Sequence, residues 1–477
     1  MYKFKLYQYS IAFGACLAVA SCKVPAVATL GDSKPIPLAY GNNQDTTNTS
    51  NMPLHEFFKD KNLVDLIDTA IKNNKDLMIT LQDIEIAKSD IRVRKGALLP
   101  TVGLRAGLGV EKVGRYTSQG AGDASTEITP GKEFPDPLMD YTIAATANWE
   151  ADIWKKLRNS KKAAMSRYLS SIEGKNFVIT NLIAEVAENY YELQSLDSQM
   201  DIVKQNIKLQ KNALEIVKVQ KEAMRTTELA VQKFQAEVLT STSMEFEILQ
   251  KIKEAENKIN FLLGRYPQEI PREKGDFLAL EPSPVSAGIP AQLLANRPDI
   301  KQAELELAAA KLDVKVARAE FYPSLDISAA IGFQAFKPSY VFRLPESLLY
   351  SLAGDLAAPL INRNAIKAEF SSANSRQLQA MFNYERVILN AYMEVSNHLS
   401  KISNLEKSYD LKSRQVQALN KSIEVSNDLF KSARADYFEV LMTQRDALES
   451  KLELIETKKE QLNAVVSVYR DLGGGWK

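Results

Sequence analysis

The stretch LLPTVGLRAGLGV, residues 98–110, alternates after Pro100 between apolar side chains and small or polar ones. Leu104 belongs to the apolar set, and its neighbour Arg105 belongs to the other. Because successive side chains of a strand point to opposite faces, the pattern predicts a β-strand over 101–110 with one apolar face. A soluble sheet buries such a face against a core, whereas a membrane barrel exposes it to lipid. This stretch alone leaves both alternatives open.

Three further segments alternate in the same way, at residues 141–150, 325–334 and 349–358. Each is about ten residues long, which is the length of a tilted membrane-spanning strand. The charged residues of the four segments fall on the polar faces, where a water-filled lumen accommodates them. We therefore expect four lumen-facing charged residues: Arg105, Glu150, Asp326 and Asp355.

Long helices are predicted elsewhere in the chain, because apolar residues recur every seven positions from Ile172 to Leu214 and again from Met381 to Phe430. Such heptads indicate coiled-coil packing. Proline is absent from 155–224 and from 364–434, and a helix of 70 residues is about 105 Å long. We expect two long helical hairpins, with return helices at about 226–264 and 436–472. Shorter helices at about 61–98 and 297–321 are expected to precede the strands.

The chain contains an internal two-fold repeat. Residues 74–110 resemble residues 297–333 at an offset of 223, and later matches such as Leu263-Gly264 with Leu472-Gly473 have an offset of 209. A loop rich in glycine, proline and serine around 111–140 accounts for the longer first copy. One pseudo-symmetric fold, mixed but mainly α, is therefore expected. The predicted divisions are a signal peptide at 1–21, an anchor and linker at 22–60, a first repeat at 61–264, a Pro-rich equatorial linker at 265–296 and a second repeat at 297–477.

The N-terminus has the pattern of an export signal. Basic residues precede the apolar run from Ile11 to Ala20, which is too short to span a membrane as a helix. The run ends at Val19-Ala20-Ser21-Cys22, which looks like a bacterial lipoprotein signal with acylation of Cys22 after cleavage. Diacylglycerol and an acyl chain on Cys22 would anchor the protein firmly. Ordinary secretory cleavage that leaves a free cysteine is the alternative.

Composition disfavours several classes of function. The chain has 60 basic and 59 acidic residues, so no nucleic-acid partner is indicated. Two histidines, His55 and His398, and two cysteines, Cys16 and Cys22, leave almost no material for a metal centre or a cysteine–histidine nucleophile. We therefore expect no enzymatic activity, no metal and no cofactor beyond the lipid on Cys22. His398 falls in a heptad and is expected to pack or to face solvent.

Four strands cannot close a barrel alone. Open edges cannot face lipid, and small bacterial barrels have at least eight strands. If the apolar faces meet lipid, three chains must share a barrel of about twelve strands, in a ring of three.

Four segments carry a family resemblance: NWEADIWKKLR, RPDIKQAELELAAAKLDVKVARAEFYPSL, DYFEVLMTQRDAL and the terminal YRDLGGGW. With them the chain resembles the TolC-like outer-membrane factors of tripartite efflux pumps, in their lipoprotein (NodT-type) branch. The resemblance implies a homotrimer in the outer membrane of a Gram-negative bacterium. It implies a twelve-stranded barrel continued by an α-helical periplasmic tunnel, and passive export of substrates. It also implies a periplasmic adaptor and an inner-membrane transporter, of RND type, as partners.

The turns at the far ends of the two hairpins, residues 222–228 and 431–437, are candidate gating elements. Thr227 and Asp436 occupy equivalent positions, where they can cap the return helices, and Asp436 with Glu439 resembles a capping box. Arg225 and Arg434 lie nearby, so charge pairs with Asp436 could instead hold the tunnel shut. Neither turn contains the glycine that is frequent in the family.

Two other functions compete with the efflux channel. A lipid-anchored coiled-coil spacer or adhesin without a pore explains Cys22 and the heptads, but not the four strands. A periplasmic hydrolase is disfavoured by the missing catalytic groups.

Overall fold

The structure is a computed structural model that describes residues 26–27, 35–40, 46–273, 275–359, 363–432 and 434–476. Its contacts divide the chain into two compact units. Residues 86–168 and 305–382 belong to the first unit, and residues 32–85, 169–304 and 383–477 belong to the second.

The first unit contains an antiparallel sheet of four strands in the order β1-β4-β5-β6. A short hairpin of β2 and β3 lies between β1 and β4 in the chain. Each predicted strand overlaps an observed one to within three residues at either end. The strands are β1 Thr101–Glu111, β2 Glu127–Thr129, β3 Lys132–Glu133, β4 Leu138–Ala151, β5 Ser324–Ala335 and β6 Leu348–Ala357.

Two helices of 67 and 68 residues dominate the α-helical content, and each precedes a helix of 35 residues. These four helices begin and end close to the predicted positions. The α-helices of the described residues are α1 Leu54–Phe57, α2 Lys61–Asn73, α3 Lys75–Gly96, α4 Ser118–Ser125, α5 Lys156–Glu222, α6 Glu228–Leu262, α7 Gln292–Asn296, α8 Pro298–Ala319, α9 Asn364–Lys431 and α10 Tyr437–Asp471.

Two predictions of local structure were wrong. The helix expected over 61–98 is divided, because Asn74 has a non-helical ψ of 130° and separates α2 from α3. Its side-chain oxygen accepts the Leu77 N–H at 2.9 Å, and its amide nitrogen donates to the Leu262 carbonyl at 2.9 Å. The segment around 111–140, expected to be an irregular loop, contains α4 and the β2–β3 hairpin.

The second unit has its core on α5. The heptad residues from Val186 to Leu214 are buried there, together with apolar residues of α2, α6 and α10. The chain just after residue 46 packs against the Pro-rich linker, since the Thr49 N–H donates to the Ser286 carbonyl at 2.9 Å. None of the helices in the described part of the chain is both long enough and apolar enough to cross a membrane.

Candidate functional site

Three of the four predicted lumen residues lie side by side on one face of the sheet. Glu150 of β4 pairs directly with Asp326 of β5, and Asp326 pairs directly with Asp355 of β6. Like charges opposite each other on neighbouring strands destabilise a sheet. Lys156 partly offsets this cost, because its Nζ lies 2.6 Å from a Glu150 carboxylate oxygen. The carboxylates border an open cavity of about 440 Å³.

Arg105, the fourth predicted residue, lies on the same face but further along the strands. It pairs with Ala144, six residues before Glu150 on β4, and residues an even number apart share a face. The polar face thus carries an acidic row near the ends of the strands from which the helices continue, and a basic residue towards their middle.

The opposite face of the sheet is apolar and exposed. Leu104 is 90% exposed, Leu352 is 79% exposed and Tyr350 is 76% exposed. A soluble sheet would bury such side chains, so the alternative of a sheet over a protein core does not describe this face. The outermost strands, β1 and β6, form the two edges of this sheet.

At the two hairpin tips, both long helices end in the same hydrogen-bond pattern. The Arg225 N–H donates to the Gln220 carbonyl at 2.8 Å, and the Arg434 N–H donates to the Leu429 carbonyl at 2.8 Å. At the first tip Met224 has a φ of 58°, and its N–H donates to the Lys221 carbonyl. This is a Schellman motif, which usually has glycine at the left-handed position. This turn has no glycine, so Met224 adopts the left-handed backbone conformation at a cost in strain.

The return helices begin differently at the two tips. Asp436 caps α10 by accepting the Tyr437 N–H at 2.7 Å, instead of the Glu439 N–H that a capping box uses. Thr227 occupies the cap position of α6 without a side-chain capping bond. At that tip Lys221 forms an ion pair with Glu228 instead, and hydrogen bonding by Gln232 together with this pair lowers the pKa of Glu228.

The structure brings the two tips of one chain together. Val217 and Phe234 of the first tip pack in one cluster with Leu441 and Phe430 of the second. Arg225, Arg434 and Asp436 are all exposed, and no ion pair joins them within the described part of the chain. Charge pairs among these residues would therefore have to form between copies of the chain, and the gating role stays a prediction.

Sequence reasoning missed a buried ionic network around Arg297. Its side chain is 6% exposed and contacts Asp299 at 2.7 Å and Glu394 at 2.9 Å, and it also donates to the Asp471 carbonyl at 2.9 Å. Burial disfavours the charge, but the hydrogen bonds and charges of Asp299 and Glu394 outweigh burial and raise the pKa of Arg297. The repeat contained the signal, because Arg297 is the equivalent of Asn74, and both side chains donate to equivalent carbonyls of α6 and α10.

His398 borders the same network. The expectation that it only packs or faces solvent was wrong. Its Nδ1 lies 2.5 Å from a carboxylate oxygen of Asp471, whose side chain is buried. The same carboxylate accepts a hydrogen bond from Arg470 at 3.0 Å. Cys22, the predicted lipidation residue, lies outside the described residues.

A family model described as "Outer membrane efflux protein" matches residues 66–265 and 289–474 of the chain. The pyoverdine export outer membrane protein OpmQ of Pseudomonas aeruginosa is 26% identical over 86% of this chain and 85% of its own length. The probable outer membrane lipoprotein SilC of Salmonella typhimurium is 25% identical over the whole of both chains.

The fold has a match of known structure. A crystal structure of CusC, described in connection with transmembrane channel formation, superposes with a TM-score of 0.81 at 22% identity. It covers 94% of this chain and 100% of that chain. The cation efflux system protein CusC of Escherichia coli O6:H1 is 25% identical over 98% of both sequences.

Proposed function

The chain belongs to the outer membrane efflux protein family and is the outer-membrane channel component of an efflux pump, and from this premise we propose that three copies share one twelve-stranded barrel. Substrates delivered by an inner-membrane transporter and a periplasmic adaptor pass through it without chemical change. The transporter is proposed to be of the RND type.

One observation carries the proposal: the four-stranded sheet has open edges at β1 and β6 and an exposed apolar face. Hydrocarbon cannot hydrogen-bond the unpaired N–H and C=O groups of an edge strand, so a sheet in lipid must close. Pairing β6 of one copy with β1 of the next closes the ring with a single type of contact. The apolar face then meets lipid.

In this arrangement the polar face lines the lumen. Three copies of the row of Glu150, Asp326 and Asp355 would form an acidic ring at the end of the barrel nearer the helices. A ring of one charge sign raises the local concentration of ions of the opposite sign. We therefore expect the open channel to favour cations, and substitution of Asp326 and Asp355 by asparagine to reduce this preference in bilayer recordings.

The shared barrel is tested by a matched pair of variants at neighbouring residues. Leu104→Arg places a charge on the lipid face and should impair insertion, at a cost of about 2–4 kcal/mol near the bilayer midplane. Arg105→Leu changes the polar face and should be much milder. The mass of the detergent-solubilised protein should be that of a trimer. A folded monomer with full strand content, or equal effects of the two variants, would contradict the shared barrel.

We also propose that Arg225, Arg434 and Asp436 form charge pairs between neighbouring copies that keep the resting tip narrow. Each exposed pair is worth only about 0–1 kcal/mol, but a symmetric set acts together. Arg225→Glu with Arg434→Glu should raise single-channel conductance and admit large antibiotics. Asp436→Asn keeps a capping oxygen and removes the charge, so it separates gating from capping. A correctly assembled double variant with ordinary conductance would exclude the charged gate.

The third proposal is a lipid anchor at Cys22. The sequence pattern supports it, as does the similarity to a relative that is named a lipoprotein. Cys22→Ser should abolish incorporation of labelled palmitate, while the trimer persists because the barrel also holds the protein in the membrane. Palmitate that still labels the variant would show that the acylated residue lies elsewhere.

Conductance distinguishes the channel from a coiled-coil spacer without a pore. The spacer would give no conductance in a planar bilayer, whereas the channel conducts. Crosslinking followed by purification identifies the adaptor and the transporter, and through them the substrate.

A further inference from the structure

The connection between β5 and β6, residues 336–347, holds two cations on one aromatic ring. The Lys337 Nζ lies 5.8 Å from the centre of the Tyr340 ring, and the Arg343 guanidinium carbon lies 4.8 Å from it. Both distances are within the range of cation–π contacts. The Ser347 hydroxyl donates to the Tyr340 carbonyl at 2.5 Å and fixes the turn that presents the ring.

Neither cation is neutralised by a carboxylate. In the described ranges no acidic oxygen lies within ion-pair distance of Lys337 or Arg343, although Glu346 is on the same connection. The connection between β1 and β4 is the opposite case. There Lys112 lies 3.8 Å from Asp136, and Arg115 lies 3.6 Å from Glu133.

The two cations border an exposed apolar surface. Phe342 is 70% exposed, and its ring contacts that of Phe333 at 5.6 Å, on the apolar face of the sheet. Leu344 is 64% exposed, and Tyr350 of the same face is 76% exposed. A ligand that satisfies both features has an anionic head and a long apolar body.

We propose that the cluster of Lys337, Tyr340 and Arg343 binds the phosphate groups of an anionic lipid in the outer leaflet. The connection lies at the strand ends opposite those that continue into helices, so in the proposed barrel it is at the outer surface. Arginine and lysine are the usual ligands of phosphate, and basic residues beside an apolar membrane surface attract anionic headgroups. The ring holds both cations close together without cancelling their charge.

Full-length protein in mild detergent is titrated with bis-phosphorylated lipid A or with its dephosphorylated form, and bound lipid is counted by native mass spectrometry. The double variant Lys337→Gln, Arg343→Gln should bind the phosphorylated lipid about 25-fold more weakly, or about fivefold for each cation. The matched control Lys112→Gln, Arg115→Gln removes two cations that are already paired, and should bind like the wild type.

The charge-conserving variant Lys337→Arg, Arg343→Lys should retain binding, which separates a charge effect from misfolding. Equal losses in the cluster and control variants, or binding of the dephosphorylated lipid with equal affinity, would overturn the inference. Displacement of the lipid by millimolar inorganic phosphate would do the same, because it would indicate a free-anion site. The spectrum also reports the oligomer, so a monomer that retains the lipid would refute the shared barrel and leave the lipid site standing.

Discussion

The return helices α6 and α10 occupy equivalent places in the two copies of the repeat. Apolar side chains that are exposed on α6 have equivalents on α10 that are buried. Leu239 and Phe246 of α6 are 63% and 67% exposed. Their equivalents on α10, which lie 209 residues further along the chain, are Leu448 and Ile455, exposed by only 7% and 0%. The same kinds of side chain at the same positions of the repeat therefore have different surroundings.

Part of the difference comes from the Pro-rich linker. Phe277 of this linker packs on Ile455 and Leu462 of α10. The long helices show the reverse asymmetry, since Ile207 and Leu214 of α5 are buried, whereas their equivalents Val416 and Ile423 of α9 are only half-buried. Within the second unit, α5 and α10 thus bury more of their heptad-related apolar residues than α6 and α9 do. In the proposed trimer, the exposed apolar surface of α6 and α9 would be available to a neighbouring copy.

The most disruptive test of this comparison replaces an equivalent pair by aspartate. Ile455→Asp buries an unpaired carboxylate and should unfold the helical region, at a cost above about 4 kcal/mol. Phe246→Asp should leave the chain folded and lower the temperature at which the proposed trimer dissociates. Circular dichroism during heating measures the first effect, and native mass spectrometry measures the second. Equal loss of helix in both variants would mean that α6 is as much a part of the core as α10.

A smaller effect is expected at the equivalent pair Arg297 and Asn74. Arg297→Met leaves Glu394 and Asp299 without their buried partner, and should lower the free energy of unfolding by about 3–5 kcal/mol. Asn74→Ala removes one helix cap and one hydrogen bond, which together are worth about 1–3 kcal/mol. Urea unfolding measures the free energy of unfolding of each variant and so ranks the two effects. If Asn74→Ala is the more damaging, the ionic network contributes little to the second copy.

The smallest effect on stability is expected at Glu188 of α5. Its equivalent on α9 is Asn397, which is exposed and neutral. Burial raises the pKa of Glu188, so the folded protein holds this proton more tightly than the unfolded chain does. Its contribution to stability is therefore present below the ordinary glutamate pKa of about 4.3, and is lost as the pH rises through the raised folded value. Glu188→Gln should raise the melting temperature at pH 7 and leave it unchanged at pH 4.

Asn397→Glu is the control for this pH dependence. Because position 397 is exposed, a carboxylate there should leave melting temperatures unchanged at both pH values. A difference of the same size for both variants would show that net charge, and not the burial of Glu188, determines the effect.

The sequence by itself determined the elements whose signal is periodic. Alternation over 101–110 and the three related segments located the strands and put Glu150 and Asp326 on their polar faces, whereas the register that pairs these two residues came from the structure. Heptads and the absence of proline located α5 and α9 to within a few residues. These patterns are local, because a strand or a helix repeats its geometry at every residue along its own length.

Tertiary structure decided the features that depend on contacts distant in the chain. Asn74 divides the predicted helix because its amide reaches Leu262, and Arg297 is stabilised in the interior by Glu394. Phe246 and Ile455 are both apolar and occupy equivalent positions of the repeat, yet only Ile455 is buried, in part because Phe277 of the linker packs on it. A periodic pattern shows that a face is apolar, but only packing determines what covers it.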